Sequence, residues 1–159
     1  MTAPALANAG VRFPPPLLFV LGLLGGWCLS RLGPRLPLAE EPSTVLRMAA
    51  LLFVAAGVGL AAWGMITFKR ARTAIIPNRS ASAIVTTGPY RFTRNPMYAG
   101  LTLAYVGGAL LIGTAWTLLL LPVVIAVLYR RVIRREEAYL DAAFPDVYAA
   151  YRGRVRRWL

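Results

Sequence analysis

Apolar and polar positions alternate along this chain in long blocks rather than at short intervals. Phe13 to Ser30 carries no charge, Met48 to Phe68 is a second uncharged run, and Asn95 to Tyr129 is a third, 35 residues long. The first predicts a helix over about Pro16 to Arg31, with Pro16 suited to a first helical turn. The second is long enough to span a bilayer. The third is too long for one crossing, since a single helix of that length would reach about 52 Å against a hydrocarbon core about 30 Å thick. Arg91 and Arg94 precede it, and Arg130, Arg131, Arg134 and Arg135 follow it. Basic flanks prefer the cytoplasmic side, so both ends belong on one face. The run is therefore predicted to be a helical hairpin, with arms Pro96 to Ile112 and Ala115 to Tyr129, a turn at Gly113-Thr114, and a kink at Pro122. Beyond it, Tyr139, Leu140, Ala143, Val147, Tyr148 and Tyr151 recur at helical spacing among charges. Phe144-Pro145-Asp146 divides this tail into two short amphipathic helices.

Charge then orients the blocks. The connection Lys69 to Arg94 has six basic residues and no acid, and the tail from Arg130 has eight arginines against four acids. The loop Arg31 to Arg47 has a net charge of only +1. The first two belong in the cytoplasm and the loop outside, which gives four passes with both termini cytoplasmic. The fold class is all-α integral membrane, in a single domain over residues 1–159. Residues 1–47 form a variable first helix and loop, and residues 48–159 form the core. The N-terminus makes a poor signal peptide, because its positive region is thin.

Composition narrows the chemistry. The chain is 58% hydrophobic with a net charge of +12. Its basic residues cluster at the ends of apolar runs, which fits topology and anionic head groups rather than nucleic acid. There is no histidine, and one cysteine, Cys28. Imidazole zinc sites, Ser-His-Asp triads and disulfides are excluded, and no metal site is expected. Carboxylates, arginines, tyrosines, amides and backbone must carry any reaction.

Three constellations offer such groups. In Val85 to Gly100, Asn95 is a natural N-cap before Pro96, and helix-start amides attract anions. Tyr90, Arg94 and Tyr98 add hydrogen-bonding groups, although interfacial anchoring by Arg and Tyr would use the same residues. In Arg130 to Leu140, Glu136 and Glu137 would bind a cationic ligand well, or belong to a solvated helix end. Gly57, Gly59 and Gly64 let helices approach closely, or bare a backbone to a ligand.

Four motifs in order resemble one family: V-T-T-G-P-Y from Val85, R-N-P-M-Y-A-G from Arg94, R-R-E-E from Arg134 and F-P-D-V-Y-A-A-Y-R-G-R-V from Phe144. Together with the intervening hairpin they are similar to the integral-membrane methyltransferases of the isoprenylcysteine carboxyl methyltransferase and phospholipid N-methyltransferase superfamily, over about Gly57 to Val155. The resemblance implies an S-adenosylmethionine site, with S-adenosylhomocysteine as product. By motif position Ser82, Ala83, Ile84, Val85 and Tyr90 would line it, with Asn95, Pro96, Met97 and Tyr98 at the helix start. Glu136 would contact the cofactor, and Gly57 and Gly59 match the family's Gly-x-Gly. Arg131 would face the substrate, and Glu137 is a candidate base for an amine acceptor. Asn95 stands where the isoprenylcysteine enzymes usually have histidine, which favours the phospholipid branch. The implied acceptor is a phospholipid amine or a prenyl or lipid carboxylate, and the implied location is a bacterial inner membrane. Two rival readings are a non-catalytic module on the same scaffold and a sterol-reductase-like nicotinamide enzyme.

Overall fold

The structure, a computed structural model, describes residues 13–39, 43–71 and 84–158. The described residues form six α-helices: α1 (Pro15–Leu32), α2 (Thr44–Arg70), α3 (Pro96–Ile112), α4 (Ala115–Leu128), α5 (Arg134–Ala143) and α6 (Pro145–Arg154). A 3₁₀ turn, Gly88–Arg91, precedes α3, and a π-helical turn, Tyr129–Ile133, joins α4 to α5. The protein is an all-α membrane protein. Three helices are long and apolar enough to cross a bilayer, the third being α4 continued through the π turn into α5, and the 17-residue α3 is a shorter apolar helix.

Local sequence explains most boundaries. Proline opens α1, α3 and α6 at the first turn, where its missing N–H costs nothing. Ser43 caps α2 by accepting from the Leu46 amide at 3.2 Å. Gly113 ends α3 in the left-handed region, φ 76°, a conformation glycine adopts without Cβ strain. Pro122 lies inside α4 without ending it.

Small residues set the packing. On α2 the buried positions are Ala50, Gly57 and Gly64, seven residues apart, so they share one face. That face meets α3 backbone to backbone. A Cβ added to Gly57 would lie 2.5 Å from the Gly100 carbonyl oxygen, and one added to Gly100 would lie 2.5 Å from that of Gly57. Much of the rest of α2, including Leu51, Leu52, Phe53, Val58 and Met65, is exposed, as suits a lipid-facing surface.

The hairpin exists, but its arms touch each other little. α3 packs mainly on α2, while α4 packs mainly on α1, and α1 also contacts α3. Phe19, Gly22 and Gly26 form the buried stripe of α1. Gly22 faces Val124 and Tyr105, and Gly26 faces Thr117. The first helix is thus packed into the bundle against both hairpin arms. Tyr105 crosses between the arms, its hydroxyl donating to the Thr117 carbonyl at 2.6 Å.

The bundle has two unlike ends. At one, the loop after α1 is stitched to the hairpin tip by backbone bonds: Leu38 N to Gly113 O at 3.0 Å and Ala115 N to Leu36 O at 2.7 Å. Trp116 adds an indole bond to the Pro34 carbonyl at 2.9 Å. The other end gathers the close of α2, the 3₁₀ turn, the start of α3 and the segment from the π turn onward. All the ion pairs among the described residues lie there.

Candidate functional site

The charged end is assembled around the short segment Thr93 to Asn95. Residues 156 and 157 run beside it. Arg94 N donates to Arg156 O at 2.9 Å, Thr93 Oγ1 to Arg157 O at 3.0 Å, and Asn95 Nδ2 to Arg157 O at 3.1 Å. Asn95 occupies the N-cap position of α3, but its side chain makes no cap bond. Its amide binds the C-terminal segment, and the Thr93 hydroxyl accepts from the Asn95 amide N–H instead. The sequence expectation of a capping Asn95 is corrected on that point.

Glu137 lies at the centre of an ion-pair clamp. Arg157 grips it with two bonds, Nε to Oε1 and Nη2 to Oε2, each 2.9 Å. Arg94 adds a contact at 3.2 Å and also donates to Tyr148 Oη at 3.2 Å. The paired carboxylate in turn raises the Arg157 pKa. Both of its oxygens are engaged by guanidinium N–H groups. It ties the hairpin's two flanks and the C-terminal segment together.

Glu136, its neighbour, meets different surroundings. The π turn takes up one extra residue relative to α-helix, which offsets α5 against α4 and turns Glu136 toward α3. There Oε1 accepts from the Tyr98 hydroxyl at 2.7 Å. No described residue makes an ion pair with it. Burial pushes its carboxyl up to about 7; the Tyr98 bond pulls it back in part, and the charge of Glu137 adds a smaller push upward.

Tyr90 completes this pocket. It is buried, edge-on to Phe68 at 5.0 Å between ring centroids, and its carbonyl accepts from the Tyr151 hydroxyl at 2.8 Å. Its own hydroxyl is buried with no hydrogen-bond partner among the described residues. Burial, with smaller pushes from Tyr151 and Glu136, raises it well above the usual tyrosine range, so it remains a hydroxyl at neutral pH. Gly64 and Met97 lie against it: a Cβ on Gly64 would come 2.8 Å from Met97 Cγ and 3.5 Å from Tyr90 Oη.

The structure therefore brings Tyr90, Met97, Tyr98 and Glu136 together, with Pro96 buried at the first position of α3. Val85 is buried and Ile84 half-buried at the start of the same stretch. Ser82 and Ala83 lie outside the described residues. Arg131 is exposed on the π turn, with no ion pair among the described residues. The two glycines of the Gly-x-Gly lie apart. Gly57 is in contact with α3, and Gly59 is on an exposed face with nothing within 4 Å. Two residues are about 200° apart on a helix, so they face different sides of α2. Gly64, seven residues beyond Gly57, is the α2 glycine at the pocket. Thr93 and Arg157 were not picked out from sequence, since their partners lie more than 60 positions away.

Known proteins place this arrangement. Residues 45–147 match the family model described as phospholipid methyltransferase. The chain is 30% identical over 114 residues to a protein-S-isoprenylcysteine O-methyltransferase of Schizosaccharomyces pombe, covering 70% of this chain and 48% of that protein. It is 37% identical over 81 residues to the cobalt-zinc-cadmium resistance protein CzcN of Cupriavidus metallidurans, covering 50% of this chain and 37% of that one. An uncharacterized protein of Haemophilus influenzae is 38% identical over 63 residues, 40% of this chain and the whole of that one. The chain thus spans about half or less of the length of the first two relatives. The family match takes in α2, the hairpin, and the Tyr90, Tyr98 and Glu136 pocket together, and the chain belongs to the phospholipid methyltransferase family.

Proposed function

We propose that the protein transfers a methyl group from S-adenosylmethionine to a lipophilic acceptor at the cytoplasmic face of a bacterial inner membrane. The carrying observation is Glu136, a half-buried carboxylate with no cationic partner among the described residues, beside the Tyr90 hydroxyl, which is buried with no hydrogen-bond partner among them. A buried carboxyl is costly to ionise alone, and a cation placed against it offsets that cost. S-adenosylmethionine has a sulfonium and an ammonium to offer Glu136, and polar groups to offer Tyr90, so the donor set fits the cofactor. Bound there, it supplies an electrophilic methyl group on positively charged sulfur. The chain's own part is positional: Tyr98 holds Glu136 by a hydrogen bond, and the Glu137 clamp fixes the segment before α3.

The family match favours an amine acceptor in a phospholipid head group. An amine must lose a proton before it attacks, and with Glu137 held by arginines that proton would pass to Glu136 or to water. A carboxylate acceptor needs no base. Exposed Arg131 and the likeness to an isoprenylcysteine O-methyltransferase favour it as the second reading. The positive-inside rule places the Arg-rich end, and hence the pocket, in the cytoplasm.

The test is calorimetric binding of S-adenosylhomocysteine to the purified protein, followed by incubation with labelled methyl donor and a lipid panel. Methylated amines whose yield climbs with pH support the first reading. Methyl esters released by mild base, with a flat pH profile, support the second. Absence of binding would overturn both and leave a non-catalytic scaffold.

A further inference from the structure

On α4 and the π turn, Leu118, Leu121, Pro122, Ile125, Ala126 and Tyr129 form the wall of a groove that Trp158 of the C-terminal segment closes on one side. Its volume is about 580 Å³, within the range of about 300–1,000 Å³ typical of small-molecule sites. It shares no residue with the Tyr90, Tyr98 and Glu136 pocket. The wall is carbon except for the phenol of Tyr129 and the indole of Trp158, residue types that settle at the membrane–water boundary. From Leu118 to Tyr129 the groove runs about 17 Å along the helix, close to the ~15 Å hydrocarbon thickness of one leaflet.

The charged end of the groove is what specifies an occupant. Pro122, Ala126 and Arg130 are spaced four apart, so Arg130 stands one turn beyond the groove wall on the same row. Arg134 follows after the π turn. Both are exposed, with no ion pair among the described residues. We propose that the groove binds one acyl chain of an anionic glycerophospholipid of the same leaflet, with its phosphate on Arg130 and Arg134. This is a lipid site separate from the methyl-transfer pocket. A second copy of the chain would suit the groove less, because a two-fold contact there would bring Arg130, Arg131 and Arg134 toward their own equivalents.

The inference goes beyond methyl transfer and is read without it. The protein is reconstituted in nanodiscs holding equal phosphatidylglycerol and phosphatidylcholine, re-extracted in mild detergent, and its co-purifying lipid is quantified by native mass spectrometry. Wild type is expected to retain about one phosphatidylglycerol per chain and little phosphatidylcholine. Ala126→Phe, which fills the groove, and the surface double change Arg130→Ala with Arg134→Ala should each lower that retention at least fivefold, while Glu136→Gln should leave it unchanged. Chain-brominated phosphatidylglycerol should quench tryptophan fluorescence more than the phosphatidylcholine analogue, and Trp158→Phe should abolish the difference. Equal retention of both lipids would overturn the site as ordinary lipid contact. Undiminished retention in Ala126→Phe would reduce it to head-group attraction, and a dimer broken by Ala126→Phe with lipid retention unchanged would replace the lipid with a second copy.

Discussion

Glu136 and Glu137 are consecutive on α5, yet the regions they face are built on opposite principles. Around Glu137 most strong groups are matched: two guanidiniums converge on it and Tyr148 takes a further Arg94 bond, while Arg94 Nε is buried without a partner among the described residues. Around Glu136 the matching is looser, with one tyrosine bond to a half-buried carboxyl and one buried hydroxyl that bonds to none of the described residues. Fully matched polar groups hold a fold in one arrangement. Partly matched ones cost stability in the unliganded protein and are retained where a ligand completes them. The difference separates the clamp from the pocket more sharply than residue type could.

The comparison makes opposite predictions for two nearly identical changes. Glu136→Gln should reduce methyl transfer by about a hundredfold or more and weaken S-adenosylmethionine by about tenfold more than S-adenosylhomocysteine, because the sulfonium charge is the main difference between the ligands. The same variant should unfold at a higher temperature than wild type at pH 8, since it removes a buried charge without a counter-ion. Glu137→Gln should do the reverse to stability. It leaves Arg94 and Arg157 without a carboxylate, at a cost of about 3 kcal/mol, the lower end of the range for breaking a buried pair. Thermal unfolding in detergent, with paired binding isotherms, reads both. If both variants lost stability alike, the contrast between the regions would collapse.

A pH series sharpens the same contrast. The Glu136 carboxyl titrates at about 7 in the folded chain, against 4.5 for an ordinary glutamate. Across that window the unfolded chain has lost a proton that the folded one keeps, so the unliganded protein should lose stability as pH rises from about 4.5 to 7. A cationic ligand that needs the carboxylate should do the opposite and bind about tenfold more tightly at pH 8 than at pH 6. The groups facing Glu136 are Tyr98, Tyr90 and Glu137, and burial keeps the Tyr90 hydroxyl protonated throughout this range. Calorimetry in buffers of different ionisation enthalpy should detect proton release on binding at pH 6.5. Flat affinity with no proton release would remove Glu136 from the cation.

Much of this was legible from the sequence, and the exceptions share a cause. The hairpin follows from comparing an uncharged run with the bilayer thickness, its turn from Gly113, and the tail break from Pro145. Each is a local or one-dimensional argument. What stayed hidden depended on angle or on distant partners. Nothing in Y-R-R-V-I distinguishes a π turn from an α turn, and the turn lies between α4 and the glutamate that meets Tyr98. Gly57 and Gly59 read as a pair along the chain but point to different sides of α2, while Gly64 returns to the first side. Asn95 reads as a cap until Arg157, 62 residues on, takes its amide. The packing of α1 against both hairpin arms does leave a mark, Gly22 and Gly26 four residues apart, but that spacing alone does not say which helices they meet.

The smallest effect isolates a single hydroxyl. Tyr90→Phe deletes a buried group that has no hydrogen-bond partner among the described residues and leaves the ring against Phe68 in place. An unsatisfied buried polar group costs about 1–3 kcal/mol, so the unliganded variant should be more stable by about 1 kcal/mol once some relaxation is allowed. Cofactor binding should weaken only a few-fold, because the hydroxyl offers one neutral hydrogen bond where Glu136 offers a charge. Stability up and affinity down, from one atom, is the pattern expected of a group held open for a ligand. Stability down instead would mean that the hydroxyl bonds within the unliganded fold, and Tyr90 would then pass to the clamp side of the comparison.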